Sequence, residues 1–209
     1  MLRYDHFIFD FDGTLSDSYP SFFKAAKTVV EKFGANATDE QIYECLKWRS
    51  AVHFFDSLNL GEQREAAVRE FNVIKRGLMR TEATAMAGAA GLLDRLCRAG
   101  GKCYIYSHSG EIVIENSKKW GLDGYFTDYF LGSAHYPRKP APDALLALVE
   151  KHKLDISRCV MIGDRDIDVI AGKNAGMDGI LIDAENYYHD LEVTHRVGDL
   201  EQIAEIAFI

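Results

Sequence analysis

The sequence is short of most features that would mark a specialised chain. Only four of its 209 residues are cysteine (Cys45, Cys97, Cys103 and Cys159), and no two of them form a C-x-x-C pair. Cys103 and Cys159 lie in apolar runs, so the pattern reads as buried free thiols in a reducing cytoplasm. It argues against a disulfide framework or a thiolate zinc site. Positive charge is not in excess. Against 32 Asp+Glu there are 24 Lys+Arg, a net charge of -8, and such a chain repels a phosphate backbone; nucleic acid is not expected as a general partner. No apolar run is long enough to span a membrane. Acidic and aromatic residues appear at once in Met1-Leu2-Arg3-Tyr4-Asp5-His6, so no secretory signal is expected. Repeats, low-complexity tracts and flexible linkers are missing too. What remains, 47% hydrophobic and 27% charged, has the balance of a folded globular protein, long enough for one large domain or one domain with a smaller insert.

What is present is a change of period along the chain. His6-Phe7-Ile8-Phe9 is a short apolar run that stops at Asp10 and reads as a buried strand, and Asp12-Gly13 supplies a turn signal. From 17 to 83 the pattern is helical: Phe22, Phe23, Ala26, Val29, Val30 and Phe33 repeat at helical spacing, Gly34 follows as a C-cap, and Thr38-Asp39-Glu40-Gln41 is a capping-box pattern. Val68, Phe71, Ile74 and Leu78 mark a later helix. Beyond 83, strands alternate with helices. Cys103–Tyr106, Tyr129–Leu131, Cys159–Ile162 and Gly179–Ile182 are the expected strands, and a last helix is expected near Leu200 to Ile206. Alternation implies parallel strands with right-handed crossovers, hence an α/β, doubly wound sheet carrying an all-helical insert. The expected division is 1–16 with 84–209 for the core and 17–83 for the insert.

In an open parallel sheet, ligands sit beyond the carboxyl ends of the strands. That rule selects the polar residues just after each strand: Asp10 and Asp12, Ser107 and His108, Asp164 and Asp168. Asp-x-Asp is common in solvated loops, and an Asp at a helix start is commonly a cap. Several carboxylates converging on one crevice repel each other unless a cation neutralises them, and Mg²⁺ suits oxygen ligands and a substrate phosphate. Ser107, before a helix N-terminus, is a natural phosphate cradle. A lone Lys is normally surface charge, but Lys139, stiffened in Arg138-Lys139-Pro140-Ala141-Pro142-Asp143 before a helix start, is a better candidate partner for phosphate in a chain whose net charge otherwise repels phosphate esters.

With these motifs in order (Asp10-x-Asp12-Gly13-Thr14, Ser107, Lys139 and Gly163-Asp164-x-x-x-Asp168), the chain resembles the haloacid dehalogenase superfamily of phosphohydrolases. The matching branch has a helical cap inserted after the first strand and is typified by phosphoglycolate phosphatase-like proteins. The resemblance covers essentially the whole chain. It implies a Rossmann-like core and an insert that serves as cap. It implies Asp10 as nucleophile, Asp12 as acid and then base, and phosphate held by Ser107, His108, Lys139 and Gly13. It implies Mg²⁺ at Asp10, Asp12 (through its carbonyl), Asp164 and Asp168, the last through water. The substrate would be a small phosphorylated metabolite.

Two departures narrow the choice. Mutases resembling β-phosphoglucomutase carry a His early in the first cap helix, where this chain has Phe22. They also carry Lys-Gly-x-Ser-Arg, where it has Lys47-Trp48-Arg49-Ser50-Ala51. Many phosphoglycolate phosphatases have Asn after the Ser or Thr of the second motif; here it is His108. A sugar-phosphate mutase and a non-catalytic phosphate binder remain the competing readings. For substrate choice the polar, aromatic cluster Lys47, Trp48, Arg49 and His53 stands out. Either Lys47 or Arg49 grips a second anionic group, or Trp48 is core and the two cations are solvated. Tyr187-Tyr188-His189 reads as a surface loop without a role.

Overall fold

In the computed structural model, which describes residues 1–132 and 136–208, the first apolar run becomes the middle of a sheet. β1 (His6–Phe9) has Phe7, Ile8 and Phe9 wholly buried, because parallel strands are covered on both faces. A two-residue ribbon, β2 (Ser16–Asp17) with β3 (Thr84–Ala85), brackets the helical insert. Then follow β4 (Lys102–Ser107), β5 (Phe126–Leu131), β6 (Cys159–Gly163), β7 (Asp178–Ile182) and β8 (His195–Val197). The main sheet runs β5-β4-β1-β6-β7-β8, and every pairing is parallel. Register aligns Phe9 with Ile105 on one side and Ile162 on the other, so Asp10, Tyr106 and Gly163 lie at one level near the carboxyl ends of three adjacent strands. The strand order reverses at β1, which makes its carboxyl end the switch point of the sheet. β8 gave no sequence signal: three residues, His195, Arg196 and Val197, with one fully buried apolar side chain do not form a run.

The chain divides into two compact units, Met1–Ser16 with Ala85–Ile209, and Asp17–Thr84. The second is helical. It contains α1 (Tyr19–Lys32), α2 (Asp39–Glu44), α3 (Ala51–Ser57) and α4 (Arg64–Thr81). The capping box forms: Thr38 Oγ1 accepts from Gln41 N at 3.2 Å, and Thr38 N donates to Gln41 Oε1 at 2.9 Å. Between α2 and α3 the backbone makes a π-helical turn, Cys45–Arg49, which periodicity did not anticipate. Ser50 then restarts the helix, accepting from His53 N at 3.0 Å. Val29, Val30, Ile42, Leu46, Phe54 and Phe71 form this unit's core.

In the α/β unit, alternate residues of each strand face opposite layers. Phe7, Phe9, Ile105, Val160 and Ile162 pack with α5 (Ala89–Arg98), α6 (Ile112–Lys119) and α9 (Leu200–Ala207). Ile8, Tyr104, Tyr106 and Met161 pack with α7 (Asp143–His152) and α8 (Asp166–Ala175). Gly176 closes α8 at φ 86°, a left-handed position where glycine is favoured. Among the described residues no helix is long and apolar enough to cross a membrane.

Candidate active site

Asp10 leaves β1 with its amide still in the ladder, donating to Ile162 O at 2.8 Å. The backbone therefore fixes where its carboxylate starts. The side chain meets Lys139, whose Nζ lies 2.6 Å from Asp10 Oδ1, 2.7 Å from Asp168 Oδ1 and 2.9 Å from Tyr106 O. All three donor protons of one ammonium are thus directed, and the Lys139 side chain is only 2% exposed. Burial works against its charge, but Asp10 and Asp168 outweigh that and raise its pKa.

The carboxylates outnumber this cation. Asp10, Asp164 and Asp168 are all buried and offer oxygens within 4.8 Å of one another. Burial raises the Asp10 pKa well above the usual carboxylate range. Lys139 opposes the rise, while Asp168, Asp164 and Asp12 add to it. Asp164 precedes α8 and does not lie in its first turn. It reaches the strand ends from the turn after β6, so Asp164 and Asp168 do not share a helix face. Thr14 Oγ1, wholly buried, donates to Asp164 Oδ1 at 3.2 Å. Asp168 does two jobs: Oδ2 caps the helix by accepting from Arg165 N at 3.1 Å, and Oδ1 accepts from Lys139. Asp168 is thus a cap, as an Asp at a helix start commonly is, and its second oxygen pairs with Lys139. Gly163 lets it approach, since a Cβ there would meet Asp168 Cβ, Cγ and Oδ2 at 2.4 Å.

The loop after β4 holds the remaining parts. Ser107 is buried, and its Oγ accepts from Ser109 N at 3.1 Å. His108 Nε2 accepts from Lys139 N at 2.9 Å, which leaves the ring proton on Nδ1. Burial, then Lys139, Arg138 and Arg165, push the His108 pKa down to about 3, so the ring is neutral at ordinary pH. Ser109 Oγ donates to Asp12 Oδ2 at 2.5 Å. Gly13, at φ 82°, turns the chain and gives its N–H to Ser16 O at 2.9 Å. The Gly13 amide is therefore engaged within the turn.

The structure thus gathers Asp10, Asp12, Ser107, His108, Lys139, Asp164 and Asp168 at the ends of β1, β4 and β6. Lys47 and Arg49 belong to the helical unit. There Trp48 is buried, Lys47 Nζ sits 4.2 Å from the Trp48 ring centroid, and Arg49 is exposed. Sequence reasoning missed Ser109 and the holding contacts of Thr14 and His108. The strand-end rule that selected Ser107 extends two residues further to Ser109. Tyr188, expected in a bare surface loop, is partly buried. Its amide and that of Tyr187 bond the buried carboxylate of Asp183 at 3.0 and 2.8 Å.

A cluster of carboxylate oxygens with one ammonium suits a hard divalent cation, because the donors are all oxygen and the excess charge is negative. Comparison with known proteins agrees with the fold. Residues 7–182 match the family model described as haloacid dehalogenase-like hydrolase. A phosphoglycolate phosphatase from Vibrio parahaemolyticus is 30% identical over 179 residues, 80% of this chain and 78% of that one. A 6-phosphogluconate phosphatase from Escherichia coli is 24% identical over 85% of this chain and 82% of its own length. A haloacid dehalogenase-like hydrolase from Streptococcus pneumoniae superposes with a TM-score of 0.87 at 17% identity, covering 97% of this chain and 98% of that one. On sequence and fold together, this chain belongs to the haloacid dehalogenase-like hydrolase family.

Proposed function

We propose that the protein is a Mg²⁺-dependent phosphatase that hydrolyses a small phosphomonoester through a phosphorylated Asp10. The observation that carries this is the buried Lys139 ammonium bridging Asp10 and Asp168 beside Asp164, a charged cluster at the switch point of the sheet. Asp10 supplies the attacking oxygen: Lys139 holds Oδ1 and so fixes the carboxylate's orientation. Asp12 gives a proton to the leaving oxygen and later takes one from the attacking water. Ser107 and Lys139 bind the phosphoryl oxygens and stabilise charge as the bond breaks. His108 holds the Lys139 backbone, so its side chain serves the phosphate site by fixing a neighbour. Asp10, Asp164 and the Asp12 carbonyl would hold Mg²⁺, with Asp168 acting through water; the ion supplies charge neutralisation between carboxylates and phosphate.

The helical unit acts as the cap in this reading and sets substrate choice. Phosphoglycolate and 6-phosphogluconate, for which two relatives are named, each carry a carboxylate beside the phosphate. A cation at Lys47 or Arg49 would suit such a second anion. The chain works in the cytoplasm, consistent with four free thiols. The test is phosphate release from a panel of small esters with Mg²⁺, with EDTA and Asp10→Asn as controls. Release that needs the metal and disappears in Asp10→Asn supports the phosphatase. Binding of phosphate without release from any ester would transfer the site to a mutase needing an activator or to a non-catalytic binder. Arg49→Ala and Lys47→Ala are expected to raise KM about tenfold for carboxylated esters, with kcat little changed. An unchanged KM in both would remove these two from substrate choice.

A further inference from the structure

We propose that Ser109 is a positioning residue for the proton-transferring carboxylate of Asp12. The role rests on the phosphatase reading above and deepens it. The two oxygens of Asp12 are in different situations. Oδ2 accepts from Ser109 Oγ at 2.5 Å. Oδ1 is buried and has no hydrogen-bond partner among the described residues. A buried polar atom left unpaired is costly, so it marks an oxygen held ready for something that arrives. In this assignment Ser109 holds Oδ2, and Oδ1 carries the proton to the leaving oxygen.

Ser109 is built to hold a fixed position. Its N–H donates to Ser107 Oγ at 3.1 Å, and its carbonyl accepts from Gly132 N at 3.2 Å. Gly132 N also donates to Ser107 O at 3.0 Å, which ties the loop to the end of β5. Asp12 lies in a tight turn, where Gly13 N bonds Ser16 O and Leu15 N bonds Phe11 O at 3.0 Å. Its backbone is fixed, but only the Ser109 hydroxyl holds the side chain among the described residues. The loop after β4 therefore has three separate tasks at consecutive residues. Ser107 faces the phosphate, His108 fixes the Lys139 backbone, and Ser109 fixes the acid.

The step to be tested is P–O cleavage. Asp10 Oδ forms a bond to phosphorus, the ester P–O bond breaks, and the leaving oxygen takes the proton from Asp12. An alkyl ester leaves as a poor alkoxide and needs that proton, whereas p-nitrophenolate leaves without it. Ser109→Ala should therefore lower kcat/KM for an alkyl phosphate at least about tenfold, with a much smaller loss for p-nitrophenyl phosphate. Ser109→Thr, which keeps the hydroxyl, should restore most of the alkyl activity. In an Asp12→Asn background, Ser109→Ala should add no further loss on the alkyl ester, because coupled residues are not additive. Circular dichroism and the unfolding midpoint verify the fold, and Ser109→Cys, close in size with a weak donor, stands in if the Ala variant does not fold. Equal losses on both esters, or a further loss in Asp12→Asn, would assign Ser109 to phosphate binding or loop structure and overturn the proposal. A wild-type protein that turns over neither ester would overturn the phosphatase reading and this role with it, a result distinct from an active wild type with an indifferent Ser109→Ala.

Discussion

The two units of this chain handle charge in opposite ways. Among the described residues, the helical unit buries only two polar side chains, the neutral Ser18 and Ser21. Its ion pairs, such as Lys24–Glu82, Lys32–Glu70 and Arg69–Glu65, lie at the surface. The α/β unit buries Asp10, Lys139, Asp164, Asp168 and Asp183. Surface pairs contribute little because water and salt screen them, whereas a buried charge is expensive unless it is fully bonded. The helical unit can therefore lose any one pair with small effect. The α/β unit tolerates its buried charges only through a dense set of bonds, and four of those five charges stand where the chemistry is proposed. The fifth, Asp183, organises the loop after β7 with Arg196 and the amides of Tyr187 and Tyr188.

The strongest way to break this contrast is to remove the shared cation. Lys139→Met should leave Asp10 and Asp168 buried without their partner, destabilise the protein by about 3–5 kcal/mol and abolish turnover. Urea unfolding in EDTA measures the first effect, and a midpoint equal to wild type would contradict it. Next in size is Gly163→Ala. The added methyl collides with Asp168, so either Asp168 moves or the strand does, at about 1–3 kcal/mol and with a large loss of activity. Retention of both would show that the approach is not as close as 2.4 Å.

A smaller effect concerns pH. His108 has a folded-state pKa of about 3 against an ordinary 6.5, so the unfolded chain binds a proton that the folded chain refuses. Stability from this group is present above 6.5 and is lost as pH falls from there toward 3. His108→Gln keeps an acceptor for the Lys139 amide and does not titrate. Denaturant unfolding should therefore show wild type losing stability relative to His108→Gln as the solution is acidified, and parallel curves would rule this out. The smallest expected effect lies in the other unit: Lys24→Ala should leave the unfolding midpoint essentially unchanged, because both partners of its ion pair are solvated.

The legibility of the sequence follows the same division. Most of the sheet strands that could be read were those whose burial on two faces forces consecutive apolar residues, as in His6–Phe9 and Cys159–Gly163; the edge strand β5, only partly buried, was read from Tyr129-Phe130-Leu131 alone. Their ends then selected Asp10, Ser107 and Asp164 without further information. β8 was hidden because three residues with mixed exposure leave no period. The π-helical turn at Cys45–Arg49 was hidden because its composition suits an ordinary helix. The holding contacts were hidden for a different reason. Ser109 to Asp12 and His108 to Lys139 join residues 97 and 31 positions apart, and no local pattern encodes which hydroxyl or ring meets which acid or amide.

The most direct measurement is mass spectrometry of the protein rapidly quenched in acid during turnover of a phosphate ester with Mg²⁺. If Asp10 is the nucleophile, the peptide containing Asp10 gains the mass of one phosphoryl group, and the gain is absent in Asp10→Asn. Turnover with that peptide unmodified, or with the phosphoryl group on another residue, would contradict the assignment of the buried Asp10–Lys139 pair as the centre of the reaction.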